Sequence, residues 1–128
     1  MTFLLDTCTF LWVCRGGGGL SQEAAAVIAD PTKQLYLSAI SAWEIILKVS
    51  MRRLTLPMPP DQFLREESRR HQIDPLPFRM EDAFPLADLP PIHKDPFDRL
   101  LVCQAIVESL TILTPDPLIA RYPVRTLW

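Results

Sequence analysis

The sequence predicts a three-layer α/β fold, with helices on both faces of a mostly parallel central sheet. Short apolar runs of strand length alternate along the chain with segments of helical length, which is typical of this class. The chain has 128 residues, the length of one ordinary domain, so we predict a single domain over 1–128. Its composition, 48% hydrophobic and 22% charged, is that of a packed globular protein and excludes a disordered tail or a fibrous repeat.

The first half of the chain contains two predicted strands, each followed by a helix. Thr2–Leu5 is a short apolar run that ends at a carboxylate, and Thr7–Cys14 has helical length and mostly apolar faces. The glycine-rich segment Arg15–Gly19 ends this first helix. The next elements are a helix capped by Ser21 that runs to about Ala29 and stops at Asp30-Pro31, a strand over Gln34–Ser38, and a helix from Ser41 to about Arg52.

The second half of the chain contains a polar amphipathic helix, a later apolar helix and three predicted strands. Pro75 indicates that Ile73–Leu76 is an edge strand, and Pro85 predicts either a kink or two short turns in the weakly helical segment Met80–Leu89. The last long helix is apolar on nearly every side, as expected for a helix packed in the centre. The remaining elements are a helix over Asp61–His71, a helix over Phe97–Glu108 with the cap Asp95-Pro96, a buried strand over Leu110–Thr114 and a last strand over Val124–Trp128.

Four acidic residues fall where strands end or helices begin. Parallel strands run toward one edge of a sheet, and the helix after each strand starts at that edge. Asp6 follows the first strand, and Asp116 lies just beyond the fourth. Glu44 is placed in the first turn of the third helix, and Asp98 in the first turn of the last long helix. We therefore expect these four carboxylates to face one crevice.

A cluster of this kind favours a divalent cation. Two unit charges about 4 Å apart repel by roughly 4 kcal/mol at an effective dielectric constant near 20, so the carboxylates need protonation, separation or a counterion. Hard oxygen ligands favour Mg²⁺ or Mn²⁺ over Zn²⁺. Mg²⁺ also leaves positions free for phosphate oxygens and makes a coordinated water more acidic, which indicates phosphodiester chemistry.

Each carboxylate also has an ordinary structural interpretation. The segments Ser41–Glu44 and Asp95–Asp98 have the pattern of capping boxes, in which an acid only satisfies amides at a helix start. Asp6 is placed to cap the first helix, and Asp116 lies in a Thr-Pro-Asp-Pro turn. Four caps at one predicted edge are less easily explained in this way than any single one.

The cysteine, histidine and threonine side chains indicate less about function than the four acids do. The three cysteines are an odd number, and we expect them to be buried free thiols. Neither His71 nor His93 forms the short ligand spacing of a structural zinc site or belongs to a nucleophile motif. Thr7 and Thr114, which adjoin acids or strand ends, are placed to cap a helix or to hydrogen-bond the metal ligands.

Each basic residue has two kinds of interpretation: an ordinary place in the fold, such as an ion pair or a solvated face, or contact with a nucleic-acid substrate. A net charge of −2 argues against non-specific coating of nucleic acid. Lys48 lies four residues after Glu44, which favours an ion pair along one helix face. Lys94 and Arg99 flank the third acid and could bind the phosphate backbone of a substrate; the alternative is solvation for Lys94, and packing or pairing with an acid for Arg99. The densest basic clusters, Arg52-Arg53 and Arg65 with Arg69-Arg70, have a solvated helix face as the default interpretation.

Four motifs in this order resemble those of the PIN-domain nucleases, and especially the toxins of VapBC-type toxin-antitoxin pairs. They are Leu4–Thr7, Ser38–Ile45, His93–Leu101 and Leu113–Asp116, and the resemblance spans nearly the whole chain. It implies a PIN-like fold and assigns metal binding and catalysis to Asp6, Glu44, Asp98 and Asp116. Asp95 is an extra acid in the third motif, which we interpret as the helix cap, with direct metal contact as the alternative.

The resemblance further implies an Mg²⁺- or Mn²⁺-dependent ribonuclease that cleaves RNA with water and leaves a 5′ phosphate. It also implies a homodimer that a cognate antitoxin inhibits. Two other hypotheses remain open: an inactive PIN-like module that only binds a partner protein, and a phosphoryl acceptor at Asp6. Charged residues interrupt every apolar run before the roughly 20 residues of a membrane span, and the first residues do not have the pattern of a secretory signal, so we expect a cytoplasmic protein.

Overall fold

The computed structural model describes residues 1–128, and its five strands all lie in one parallel sheet. The strands are β1 (Thr2–Leu5), β2 (Gln34–Ser38), β3 (Ile73–Leu76), β4 (Thr111–Leu113) and β5 (Arg125–Leu127). Their order in the sheet is β3-β2-β1-β4-β5, and every neighbouring pair runs parallel. The predicted edge position of the Pro75 strand is confirmed, since β3 forms one end of the sheet.

Helices connect consecutive strands, as parallel pairing requires. The α-helices are α1 (Thr7–Cys14), α2 (Gln22–Ala29), α3 (Ala39–Ser50), α4 (Pro60–Arg70), α5 (Met80–Ala83) and α6 (Pro96–Glu108). Two short 3-10 helices cover Phe84–Asp88 and Ile119–Arg121. Of the two alternatives predicted for Met80–Leu89, the structure has the two short turns, and Pro85 lies at the start of the second.

Two apolar clusters pack on opposite faces of the sheet. Successive side chains of a strand point to opposite faces, so Phe3 and Leu5 of β1 join one cluster with Phe10 of α1. Leu4 joins the other cluster with Leu101 of α6. All five side chains are 0–1% exposed. This arrangement confirms the predicted three-layer α/β fold.

The register of the sheet brings three strand ends together. Leu5 pairs with Leu37 of β2 on one side and with Leu113 of β4 on the other. Asp6 follows β1 directly, and its backbone N–H donates to the carbonyl of Leu113 at 3.4 Å. The residues after β1, β2 and β4 therefore meet at the carboxyl edge of the sheet, where the sequence places its acidic residues.

One predicted helix start is wrong. α3 begins at Ala39, two residues before the predicted start at Ser41, because Ser38 at the end of β2 already caps the helix by accepting from the N–H of Ile40. The predicted capping box of Ser41 and Glu44 does not form. Glu44 consequently lies in the second turn of α3 instead of the first, and its carboxylate is not used at the helix start.

The glycine run forms a tight loop after α1. Gly16, Gly17 and Gly19 have φ angles of 94°, 85° and 99°, which residues with a side chain rarely adopt. A Cβ atom on Gly19 would lie 3.1 Å from the ring of Trp12. The run therefore serves the sharp reversal of the chain and the close approach to Trp12.

The expectation of three buried thiols is only partly correct. Cys103 is buried and Cys14 partly buried, but Cys8 is exposed because it lies on the face of α1 turned away from the core. None of the helices has both the length and the apolar character needed to cross a membrane.

Candidate functional site

A cavity of about 370 Å³ lies at the carboxyl edge of the sheet, and all four predicted acids line it. They are Asp6, Glu44, Asp98 and Asp116. Lys48 is the one cationic residue in the lining. The structure therefore brings together side chains that are separated by more than 100 positions in the chain.

Asp6 is both a helix cap and a wall of the cavity. Its Oδ1 accepts from the backbone N–H of Thr9 at 2.8 Å, and its Oδ2 accepts from the hydroxyl of Thr114 at 2.5 Å. Burial raises the pKa of Asp6 above its ordinary value even though these hydrogen bonds favour the ionised form, and the charge of Asp116 adds to the increase. The capping interpretation is thus correct without excluding a role in the cavity.

Both carboxylate oxygens of Glu44 accept hydrogen bonds from neighbouring side chains. The hydroxyl of Thr7 donates to Oε1 at 2.7 Å, and the Nζ of Lys48 donates to Oε2 at 2.5 Å. Its side chain is only 7% exposed, whereas that of Lys48 is 45% exposed. The predicted ion pair is confirmed, and it partly neutralises a buried carboxylate that faces other acids.

Asp98 lines the cavity, and its carboxylate is not needed at the helix start because Asp95 caps α6. Oδ1 of Asp95 accepts from the N–H groups of Phe97 and Asp98 at 2.9 and 3.1 Å, so the cap interpretation of Asp95 is confirmed. Oδ2 of Asp98 lies 3.1 Å from Nε2 of His93. Burial, with the nearby charges of Asp95 and Glu44, raises the pKa of Asp98 to about 6.

Asp116 is linked to Asp6 through one threonine. The hydroxyl of Thr114 donates to Asp6 and accepts from the backbone N–H of Asp116 at 3.0 Å. Oδ1 of Asp116 accepts from the N–H of Leu118 at 2.8 Å, which is the turn that the Thr-Pro-Asp-Pro sequence predicts. One side-chain oxygen, Oδ2, has no hydrogen bond within the protein.

Sequence patterns do not indicate the role of His93 or Tyr122. His93 lies in the loop before α6 and contacts both Asp98 and the hydroxyl of Tyr122. Arg99 forms no acid pair: it donates to the carbonyl of Pro90 at 2.9 Å and to the hydroxyl of Tyr122 at 3.0 Å. The only signal in the sequence is that His93 precedes the third acid by five residues.

Most other basic residues lie away from the acids. Arg65 and Arg69 line a separate groove of about 710 Å³ between α4 and β3. Lys94 and Arg99 are not among the residues that line the acidic cavity. Among the predicted basic candidates, only Lys48 lines the cavity together with the four acids, and it pairs with Glu44.

The donor set fits a hard divalent cation. Four carboxylates and the Thr7 hydroxyl line the cavity, and hard oxygens of this kind are the ligands that Mg²⁺ and Mn²⁺ prefer. No three acidic, histidine or cysteine side chains approach one point closely enough to hold an ion together. The carboxylates are instead arranged around hydrogen bonds from threonine hydroxyls, His93 and Lys48.

The raised pKa of Asp98 predicts a pH-dependent stability in protein treated with a chelator. Its pKa is about 6 in the folded state against an ordinary value of 3.8, so the folded protein binds more protons than the unfolded chain between these values. The free energy of unfolding should therefore fall as pH rises from about 4 to 6, by up to about 3 kcal/mol. Urea unfolding of the wild type and of Asp98→Asn at pH 4 and 7 measures the difference.

Asp6 is present in both of these proteins, so its own titration largely cancels in the comparison. Asp98→Asn should lose most of the change in stability between the two pH values. An equal change in both proteins would show that Asp98 titrates with an ordinary pKa in the folded state.

Comparison with known proteins gives a family and a fold. The family model described as PIN domain matches residues 3–124. No curated protein matches the chain by sequence.

Solved structures resemble nearly the full length of the chain. A chain of VapBC2 from Rickettsia felis, bound to a DNA fragment from their promoter, has 17% identity and a TM-score of 0.76 over 99% of this chain and 98% of that one. DNA-bound VapBC from Salmonella typhimurium has 16% identity and a TM-score of 0.68 over 99% and 97%. FitAcB from Neisseria gonorrhoeae has 23% identity and a TM-score of 0.62 over 98% and 96%. At these identities, the likeness shows a shared fold.

Proposed function

The chain belongs to the PIN domain family, and on that premise we propose that it is a ribonuclease that hydrolyses RNA phosphodiester bonds with Mg²⁺ or Mn²⁺. Asp6, Glu44 and Asp98 would hold the essential ion, and Asp116 would support it or hold a second one. The observation that carries this proposal is the convergence of four carboxylates on one cavity whose lining has a single cation. Such an excess of negative charge is stabilised by a bound cation.

The residues of the cavity have distinct tasks in this reaction. A divalent ion, when bound, makes water more acidic and stabilises negative charge on the phosphate. Thr114 holds Asp6 in place, and Thr7 holds Glu44, so both carboxylates are oriented before an ion arrives. Lys48 would bind a phosphate oxygen of the RNA, a role supported by its half-exposed side chain at the border of the cavity.

We further propose that the chain is the toxin of a VapBC-type pair, forms a homodimer and is inhibited by a cognate antitoxin. Support comes from the fold shared with chains of VapBC complexes from Rickettsia felis and Salmonella typhimurium. An inhibitor of this kind would lower cleavage of RNA when added to the purified toxin. Co-expression with the product of the neighbouring reading frame, followed by co-purification, tests the pairing.

Cleavage of labelled RNA by the purified protein tests the proposed reaction. We expect products with a 5′ phosphate in Mg²⁺ or Mn²⁺ and none in EDTA, with activity restored when the ion is added back. Asp88→Asn is a suitable control because this carboxylate is exposed and lies outside the cavity. Absence of cleavage with every divalent ion would favour the alternative, a PIN-like module that only binds a partner protein.

A further inference from the structure

His93 lies between Asp98 of the acidic cavity and the buried Tyr122. Its Nε2 lies 3.1 Å from Oδ2 of Asp98, and its Nδ1 lies 2.7 Å from the hydroxyl of Tyr122. The imidazole is only 13% exposed, and Tyr122 is 3% exposed. Both ring nitrogens are thus engaged in a region from which water is largely excluded.

The surroundings of Tyr122 determine which nitrogen of His93 carries the proton. The Tyr122 hydroxyl accepts from Nη1 of Arg99 at 3.0 Å and from the backbone N–H of His93 at 3.2 Å. Arg99 has no acceptor atom, so the hydroxyl proton of Tyr122 is left to donate. Its two acceptors are Nδ1 of His93 at 2.7 Å and the carbonyl oxygen of His93 at 3.4 Å, and the shorter distance favours Nδ1. An Nδ1 that accepts leaves the proton on Nε2, which then donates to Asp98.

We infer that His93 is a positioning residue, which fixes the orientation of the Asp98 carboxylate through a donor at Nε2 while Tyr122 and Arg99 hold the imidazole in that tautomer. This inference rests on the proposed metal-dependent function. With Oδ2 held by His93, Oδ1 of Asp98 has no hydrogen-bond partner in the protein and is left for an ion. The arrangement resembles the hydrogen-bonded partners that orient metal ligands in other proteins, whose loss weakens metal binding about 10- to 100-fold.

A purely structural role would have different consequences. If His93 only fills space between α6 and Tyr122, an apolar residue of similar size should serve as well. If it acts as a donor to Asp98, a side chain that keeps an N–H near the position of Nε2 should retain the function. His93→Leu and His93→Gln separate these two roles, because only glutamine supplies that donor.

The Mn²⁺ affinity of the purified chain, measured by electron paramagnetic resonance of the free ion, tests the inference. His93→Leu should weaken binding about 10- to 100-fold, and His93→Gln should stay within about threefold of the wild type. His71→Gln is the matched control, since His71 lies at the end of α4 outside the cavity, and it should bind like the wild type. Urea unfolding of each variant shows whether it is folded.

Long-range ¹H–¹⁵N spectra of the imidazole provide a second readout without any metal. In the wild type, the spectra should show a proton on Nε2 of His93, with Nδ1 acting as the acceptor. Tyr122→Phe keeps the aromatic ring but removes the hydroxyl, so it should mix the two tautomers and weaken Mn²⁺ binding. If the role of His93 were only structural, the change of tautomer in Tyr122→Phe would leave the Mn²⁺ affinity unchanged.

Two results would overturn the inference alone: wild-type Mn²⁺ affinity in folded His93→Leu, or equal losses in the folded leucine and glutamine variants. A proton on Nδ1 in the wild type would do so as well. A wild-type chain that binds no Mn²⁺ would instead overturn the proposed function together with this inference, so the two failures are distinguishable.

Discussion

Asp98→Asn should reduce metal-dependent RNA cleavage by on the order of 10³-fold. The substitution keeps the volume of the side chain but removes the negative charge that faces the cavity. It should not unfold the protein, because Asp95 and not Asp98 caps α6. Burial already raises the pKa of the Asp98 carboxyl, so a neutral amide is at least as stable there as the ionised acid. The rate of cleavage of a labelled RNA under single-turnover conditions measures the effect.

Asp95→Asn is the matched control within the same motif. Asparagine is as good a helix cap as aspartate, so this variant should keep both the helix and most of the activity. The pair of variants therefore distinguishes the acid that caps the helix from the acid that faces the cavity. Full activity in Asp98→Asn, or an equal loss in Asp95→Asn, would contradict the assignment of Asp98 as a metal ligand.

The fold was predictable because local and global signals agree along most of the chain. The apolar run before Asp6 and the Pro96 start of the last long helix each leave one reasonable interpretation, and both elements are present. The start of α3 was less well determined, because Ser38 and Ser41 are both suitable caps. Only the end of strand β2 at Ser38 decides between them, and a single sequence does not fix that end to the residue.

The meeting of the four acids followed from topology, but their partners did not. Parallel strands bring Asp6 and Asp116 to one edge whatever their side chains contact. The contact between His93 and Tyr122, by contrast, joins residues 29 positions apart through two loops, and no periodic pattern describes it. Side-chain networks of this kind depend on loop conformations, so the sequence indicates the site better than its supporting contacts.

The structure also shows why capping and site formation were not true alternatives. Asp6 caps α1 through Oδ1 and contacts Thr114 through Oδ2, so one carboxylate satisfies the helix start and faces the cavity. Helices that follow parallel strands begin at the edge where the strands end. A residue that caps such a helix is therefore already placed at the crevice in which α/β proteins bind their ligands.

Mn²⁺ should raise the melting temperature of the wild type by about 10 °C at a free concentration near 100 times its dissociation constant. An ion that binds only the folded chain contributes about 2.7 kcal/mol under these conditions. Asp6→Asn should lose most of this increase, because it removes one of the charges that would hold the ion. Its fold should persist, since asparagine caps α1 as well as aspartate does.

Asp88→Asn, which alters an exposed carboxylate outside the cavity, should keep the full increase in melting temperature. Past saturation, the increase should grow with the logarithm of the Mn²⁺ concentration, as a specific site requires. An increase of the same size in Asp6→Asn would place the ion elsewhere on the protein. No increase in the wild type would mean that the folded chain accommodates the four carboxylates without an ion, through Lys48 and the hydrogen bonds from the protein, which is the behaviour of a binding module without a metal.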